Sequence, residues 1–257
     1  MKPHVWIGLA IILMVGISAT AAPLLAPVDP TRSSVFFLQG PSWAHLLGTD
    51  ELGRDILSRV IHGARTSLLV GAGAAIIAVL IGAPVGLVAG YFRGRIDMLL
   101  VPVIDLFIAL PGLVLALIIT VMVGPSLFNL VAVLGFVMWP TIARLVRGQT
   151  LATREHAFIE AARAAAGSPF WIIRRHVWPN IMRVVAAQFA VTVSFAIITS
   201  ASLSFLGLGI PPPTPDWGSM VRSGFDFIAI NPLMSLAPGA AIAFTVLGFY
   251  LLGTAVE

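Results

Sequence analysis

The run REHAFIEAARAAAGSPFWIIRRHVWPNI, Arg154 to Ile181, sits inside a polar insertion at residues 144–183 that separates two apolar segments of membrane-spanning length. Arg144, Arg147, Arg154, Arg163, Arg174, Arg175 and Arg183 give it close to half of the chain's fifteen basic residues. Its first half interleaves Arg154, Glu155, Glu160 and Arg163 with alanines, the best helix formers, and Gly167-Ser168-Pro169 stops it. Its second half resumes with Phe170, Trp171, Ile172, Ile173 and Val177 beside the cluster Arg174-Arg175-His176. The expected form is two short helices around a Gly-Ser-Pro turn. Such an insertion is either a solvated connector with basic residues at the membrane surface or a docking element.

Outward from this loop the chain is apolar. With 58% hydrophobic and 10% charged residues and a mean hydropathy of +1.00, it falls far from soluble domains, which are about 25% charged. It is an integral membrane protein. The absence of cysteine excludes a disulfide framework, thiolate metal sites and a Cys nucleophile. A pI near 10.6 would suit nucleic acid, but the basic residues sort by membrane side and no aromatic–basic stacking module is present, so no nucleic-acid partner is expected.

A bilayer core needs roughly 20 apolar residues per helix. Residues 1–26 supply a first span; Lys2 and Ala19-Thr20-Ala21 also fit a cleaved signal peptide, but the apolar run continues through Leu24-Leu25-Ala26, which favours an uncleaved helix. Residues 27–66 form an external segment in which Thr49 caps a helix with Asp50 and Glu51 in its first turn. Leu52, Ile56, Leu57, Val60 and Ile61 make one face of that amphipathic helix and Arg54, Asp55, Ser58, Arg59 and His62 the other. Residues 67–254 form a core with spans at about 67–91, 98–123, 127–143, 184–206 and 233–254, the polar loop 144–183, and a second outer loop at 207–232. Gly71, Gly73, Gly82, Gly86 and Gly90 let helices approach closely, and Pro84, Pro102 and Pro111 are tolerated where neighbouring helices satisfy freed carbonyls. The class is an all-α membrane protein with six transmembrane helices.

Six spans put both termini on one side. Lys2, Arg93, Arg95 and the basic residues of 144–183 share that side with Asp97, Glu155, Glu160 and Glu257. Arg32, Arg54, Arg59, Arg65 and Arg222 lie opposite with Asp29, Asp50, Glu51, Asp55, Asp216 and Asp226. The positive-inside rule makes the first side, with both termini and the loop, cytoplasmic.

No constellation here performs covalent chemistry, and no catalytic residue is expected. His4, His45, His62, His156 and His176 are scattered without ligand spacing, so no metal site is expected. No Gly-rich loop ends in Lys-Ser/Thr, so ATP is not bound in the P-loop manner. Asp105 is the one acid well inside a span, roughly 10 Å from its inner end. It either marks a transport pathway or pairs with an inner-side Arg such as Arg144. On the fifth span Gln188, Thr192, Phe195, Thr199 and Ser202 share a face. Its hydroxyls can bond their own i−4 carbonyls or line a hydrated pathway. Outside, Pro211, Pro212, Pro213 and Pro215 hold an extended segment that, with Trp217, offers a partner-docking surface or a plain connection.

Three strings carry a family resemblance. Glu160-Ala161-Ala162, the Gly167 turn and Pro179-Asn180 resemble the EAA loop of permease subunits from ATP-binding-cassette importers. LLGTDELGRDILSRVIHGARTSLLVG and SFLGLGIPPPTPDWG resemble the dipeptide, oligopeptide and nickel permeases of that class, and the likeness runs from about His45 to Leu252. Two departures stand out: Ala166 where the family has Gly, and Trp178 where it has Leu. The resemblance implies a type I importer permease in a bacterial inner membrane. It further implies an ATPase-coupling helix formed by Glu160, Ala161, Ala162, Arg163, Ala166, Gly167 and Ser168, and a translocation pathway. The implied partners are a second homologous permease in a heterodimer, two ATPase subunits that carry ATP and Mg, and a periplasmic or lipid-anchored substrate-binding protein. Cargo would be peptides, a nickel chelate, glutathione or a similar solute. Rival readings of the residues alone are an ion-coupled carrier using Asp105 and a non-transporting scaffold.

Overall fold

The computed structural model describes residues 3–254; Lys2 and Glu257, which enter the charge count above, lie outside them. Among the described residues five helices are long and apolar enough to cross a membrane, six if a further bent pair counts as one span. In chain order these are α1 (Pro3–Thr20), the short α2 (Ala22–Leu25), α3 (Ile56–Phe92), the pair α4 (Gly94–Ala109) and α5 (Gly112–Val123), and α6 (Leu127–Arg154). Then come α7 (Ala157–Ala164), α8 (Pro169–Ile172), a π-helical turn (Ile173–Val177), α9 (Trp178–Phe205), α10 (Trp217–Phe225) and α11 (Leu233–Gly253).

The external amphipathic stretch does not start at Thr49 and is not a separate helix. Asp50 turns the chain back on itself: its Oδ1 accepts from the backbone N–H groups of Leu52 and Arg54, each at 2.9 Å, and its Oδ2 from Arg54 Nε at 2.7 Å. Gly53, at φ +70°, completes the turn. Asp55 takes the cap that Thr49 was expected to supply, accepting from Ser58 N–H at 2.7 Å. From there α3 runs unbroken for 37 residues, so the amphipathic stretch is the first turns of a spanning helix.

The span expected at 98–123 is broken. α4 and α5 meet at 87°, with Leu110 extended at φ −83° and ψ 133°. A proline pushes its predecessor out of the α region, and Pro111 does so here; Pro84, Pro102, Pro140 and Pro238 all remain inside helices. The next span outruns its expected end at 143, because α6 continues to Arg154.

The core forms around α3, which packs along α6 and α9. The closest seam is α3 on α6, where a Cβ on Gly90 would stand 2.7 Å from Thr150 Cβ and 2.8 Å from the Arg147 carbonyl oxygen. α1 closes against α11 in the same way, with a Cβ on Gly8 set to meet the Gly248 carbonyl at 2.8 Å. Close backbone approach is how membrane helices gain packing without a hydrophobic drive.

Candidate coupling site and pathway

The polar loop is built onto the helix bundle rather than hung from it. Ile159 of α7 is wholly buried and shares an apolar cluster with Tyr91 of α3, Ile142 and Val146 of α6, and Ile181 and Val185 of α9. Burying one such side chain is worth about 1.5–3 kcal/mol. Ala162 packs against the same cluster, whereas Glu160, Ala161, Arg163 and Ala164 are exposed. An eight-residue helix thus has one face seated on three spans and one face free.

Tyr91 organises the seat. Its carbonyl accepts from Arg154 Nη1 at 2.5 Å, and its ring lies beneath the guanidinium groups of Arg163 and Arg154, 5.4 and 5.9 Å from the centroid. Beside it Arg93 Nη2 donates to Glu155 Oε1 at 2.5 Å. Tyr91 is absent from the residues singled out in the sequence, although one of only two tyrosines at the polar end of a span is a signal that could have drawn attention.

The turn after α7 differs from expectation. The left-handed position belongs to Ala166, at φ +59°, and not to Gly167. Gly167 is needed for space: a Cβ there would stand 2.8 Å from the Ala162 carbonyl and 3.1 Å from the Trp171 ring. Ser168 then caps α8, accepting from Trp171 N–H at 3.3 Å, with Pro169 at its first position.

The residues expected to line a pathway fall into three places. Gln188, Thr192, Phe195 and Thr199 line one cavity of about 390 Å³ with Thr141 of α6 and Gly112 of α5. Ser202 faces a neighbouring cavity of about 370 Å³. Thr192, Thr199 and Ser202 donate their hydroxyls to the i−4 carbonyls of α9, at 2.8, 2.8 and 2.9 Å. Asp105 lines neither cavity and pairs with Arg144 of α6.

On the opposite end, the loop before α10 keeps Pro212, Pro213 and Thr214 exposed, but Trp217 is 2% exposed and offers no docking surface. Its indole N–H donates to the Val60 carbonyl at 2.8 Å, and its ring fills the place where a Cβ on Gly63 would stand, 2.6 Å away. The loop continues as α10, a helix its prolines did not announce. Asp216 caps α10, accepting from Ser219 N–H at 2.9 Å, and burial pushes its carboxyl above the usual carboxylate range. Asp50, Arg54 and Arg59 meet Pro212, Thr214 and Ser219 around a cavity of about 150 Å³, so the two signature strings converge at this end of the bundle.

Residues 82–257 match the family described as binding-protein-dependent transport system inner membrane component. The chain belongs to that family. It is therefore a multi-pass permease subunit of an inner-membrane importer, a transport component and not an enzyme. The permease is 38% identical over 257 residues to the glutathione transport system permease protein GsiD of Pectobacterium atrosepticum, covering 98% of this chain and 85% of that one. It is 39% identical to the di/tripeptide transport system permease protein DppC of Pseudomonas aeruginosa, over 96% of this chain and 84% of the relative. Its fold matches a chain of the MetNI methionine ABC transporter in an inward-facing conformation, with a TM-score of 0.67 at 19% identity, covering 78% of this permease and 95% of that chain.

Proposed function

We propose that this permease forms half of the translocation pathway of an ATP-driven peptide importer, paired with a second homologous permease, with glutathione or a nickel chelate as related cargo. Two cytoplasmic ATPase subunits carry ATP and Mg, an external binding protein delivers cargo, and both termini face the cytoplasm. The two-faced α7 carries the reading. Its free face, Glu160 and Ala161, meets the ATPase, while Ile159 and Ala162 hold it to the bundle and Arg163 lies over the Tyr91 ring at the edge between the two faces. Ala166, Gly167 and Ser168 set the turn that fixes its exit.

Coupling follows from that attachment. A push on α7 reaches α3 through Tyr91, and α6 and α9 through the cluster around Ile159. The packed cluster moves as one body, so closure of the ATPases shifts the helices that line the Gln188–Thr199 cavity. Asp105, Gln188, Thr192, Phe195, Thr199 and Ser202 border the pathway, and Pro212 and Pro213 meet the binding protein. The cargo names of the relatives, a tripeptide thiol and di/tripeptides, support small peptides.

The test is reconstitution of the full complex in proteoliposomes with ATP enclosed on the cytoplasmic side. Uptake of a labelled dipeptide, tripeptide or glutathione should require ATP and all subunits, and the isolated permease should bind no nucleotide. Uptake driven by an ion gradient without the ATPases would contradict this reading.

A further inference from the structure

Arg144 stands on α6 and Asp105 on α4, and Arg144 Nη2 donates to Asp105 Oδ1. The pair is flanked by apolar sequence on both helices, Val103-Ile104 and Leu106-Phe107-Ile108 on one, Ile142-Ala143 and Leu145-Val146 on the other. Yet its side chains remain 53% and 52% exposed. The neighbouring pair, Arg147 to Asp97 at 2.6 and 2.7 Å, is bidentate and far more enclosed.

A half-open charged pair does not belong against hydrocarbon, where ionised side chains are costly and face the bundle interior or water. Arginine can reach along the helix toward water, but the short Asp105 carboxylate cannot. Its open side must therefore meet water or protein. The position of the cavity decides between them. α6 turns Val137 and Thr141 into the cavity, and Arg144 follows Thr141 on that same face at helical spacing. α5 brings Gly112 to the cavity just past the bend that ends α4. Gln188, across the cavity on α9, makes no side-chain hydrogen bond to the described residues. Thr199, Thr192, Gln188 and Thr141 give the cavity a polar lining, and Arg144, paired with Asp105, stands about one turn beyond Thr141 on α6, just outside that lining.

We propose that Arg144 and Asp105 form a paired-charge gate at the cytoplasmic end of the pathway. It opens by exchanging internal partners for those of a zwitterionic cargo, with Arg144 taking a carboxylate and Asp105 an ammonium group. This rests on the pathway reading above. Closed, the gate holds no net charge in the membrane. Open around a zwitterion, each charge is again compensated. A solute with both termini blocked cannot make the exchange and leaves two unpaired charges, the situation that polar sites reject most strongly.

Because the chain has no cysteine, Asp105→Cys in the complete reconstituted transporter carries the only thiol on this subunit; a cysteine-free background in the partners makes it unique. A membrane-impermeant anionic thiosulfonate should modify it from the cytoplasmic side without nucleotide, roughly tenfold faster than a cationic one because Arg144 remains beside it. Trapping with ATP and vanadate should slow the reaction, and dialanine should protect through its carboxylate on the remaining Arg144, whereas N-acetyl-dialanine amide, which has no carboxylate, should not. Leu99→Cys, on another face of α4 and 71% exposed, should react only with a lipid-soluble reagent. No aqueous reaction at Asp105→Cys, or equal unprotected rates in every state, would place the pair at a subunit interface or the headgroup surface and overturn the gate. Absence of dialanine uptake by the unmodified transporter would overturn the cargo class, while state-dependent labelling would still report the gate.

Discussion

Arg163 of the polar loop lies over the ring of Tyr91 at the end of α3, its guanidinium carbon 5.4 Å from the ring centroid. A cation over an aromatic face is worth about 0.5–1 kcal/mol at an exposed site. Arg154 shares the ring and also donates to the Tyr91 carbonyl, so one residue joins α3, α6 and α7.

Tyr91→Ala should therefore reduce ATP-driven uptake several-fold while insertion and assembly with the ATPases persist. Tyr91→Phe keeps both the ring and the carbonyl and should transport normally. Uptake assays on the two variants, with co-purification as the control, separate loss of transmission from loss of binding.

Ala166 sits at φ +59°, where an L residue is penalised by about 1–2 kcal/mol. Ala166→Gly relieves that strain, against which the added freedom of glycine in the open loop counts. Amide exchange across residues 157–172 should slow by a factor of about two to five. Faster exchange would show that the left-handed turn is not what limits order in the loop.

Much of this architecture is legible in the sequence, and the exceptions share a cause. The apolar runs locate the helices, and the EAA-like string locates α7, because both depend on neighbours in the chain. Thr49 and Asp55 are both capping residue types; Asp55 takes the cap because Asp50 folds residues 50–54 into a turn. Pro84 lies inside a helix while Pro111 ends one, and residue type does not distinguish them. Trp217 looks external in a proline-rich loop, yet its burial depends on Gly63, far back in the chain. Of the residues expected on a pathway, four share a cavity, in keeping with their helical spacing. Asp105 lies outside that cavity, paired with Arg144 across α4 and α6, a contact that its isolation in the sequence had left open.

Trp217 should prove structural. Trp217→Ala removes a buried aromatic, a change that costs about 3–5 kcal/mol, and should sharply lower the yield of folded protein. Trp217→Phe forfeits mainly the bond to Val60, about 1 kcal/mol, and should fold and transport. A normal thermal midpoint for Trp217→Ala with selectively lost binding-protein docking would restore the surface role.

Asp216 gives a pH signature. Burial raises its folded pKa, so the ionised form is the one penalised in the fold. Its stabilising contribution is complete below the unfolded value of about 3.9 and is lost as pH rises through the folded value. Asp216→Asn can retain the capping acceptor for Ser219 without the charge. Its melting temperature in detergent should match or exceed the parent's at pH 7.5, with the difference shrinking toward pH 4.5. A difference that grows on acidification would have the wrong sign.

The central claim is that the free face of α7 meets the ATPase. With no cysteine in the chain, Ala161→Cys provides a single thiol on that face. In the assembled transporter a short bifunctional thiol–amine reagent should link it to the ATPase subunit, with efficiency that changes on ATP binding. Thr214→Cys, on the exposed outer loop, should give no such product. Failure of Ala161→Cys to cross-link in a complex that hydrolyses ATP, or equal cross-linking from Thr214→Cys, would contradict the coupling role of α7.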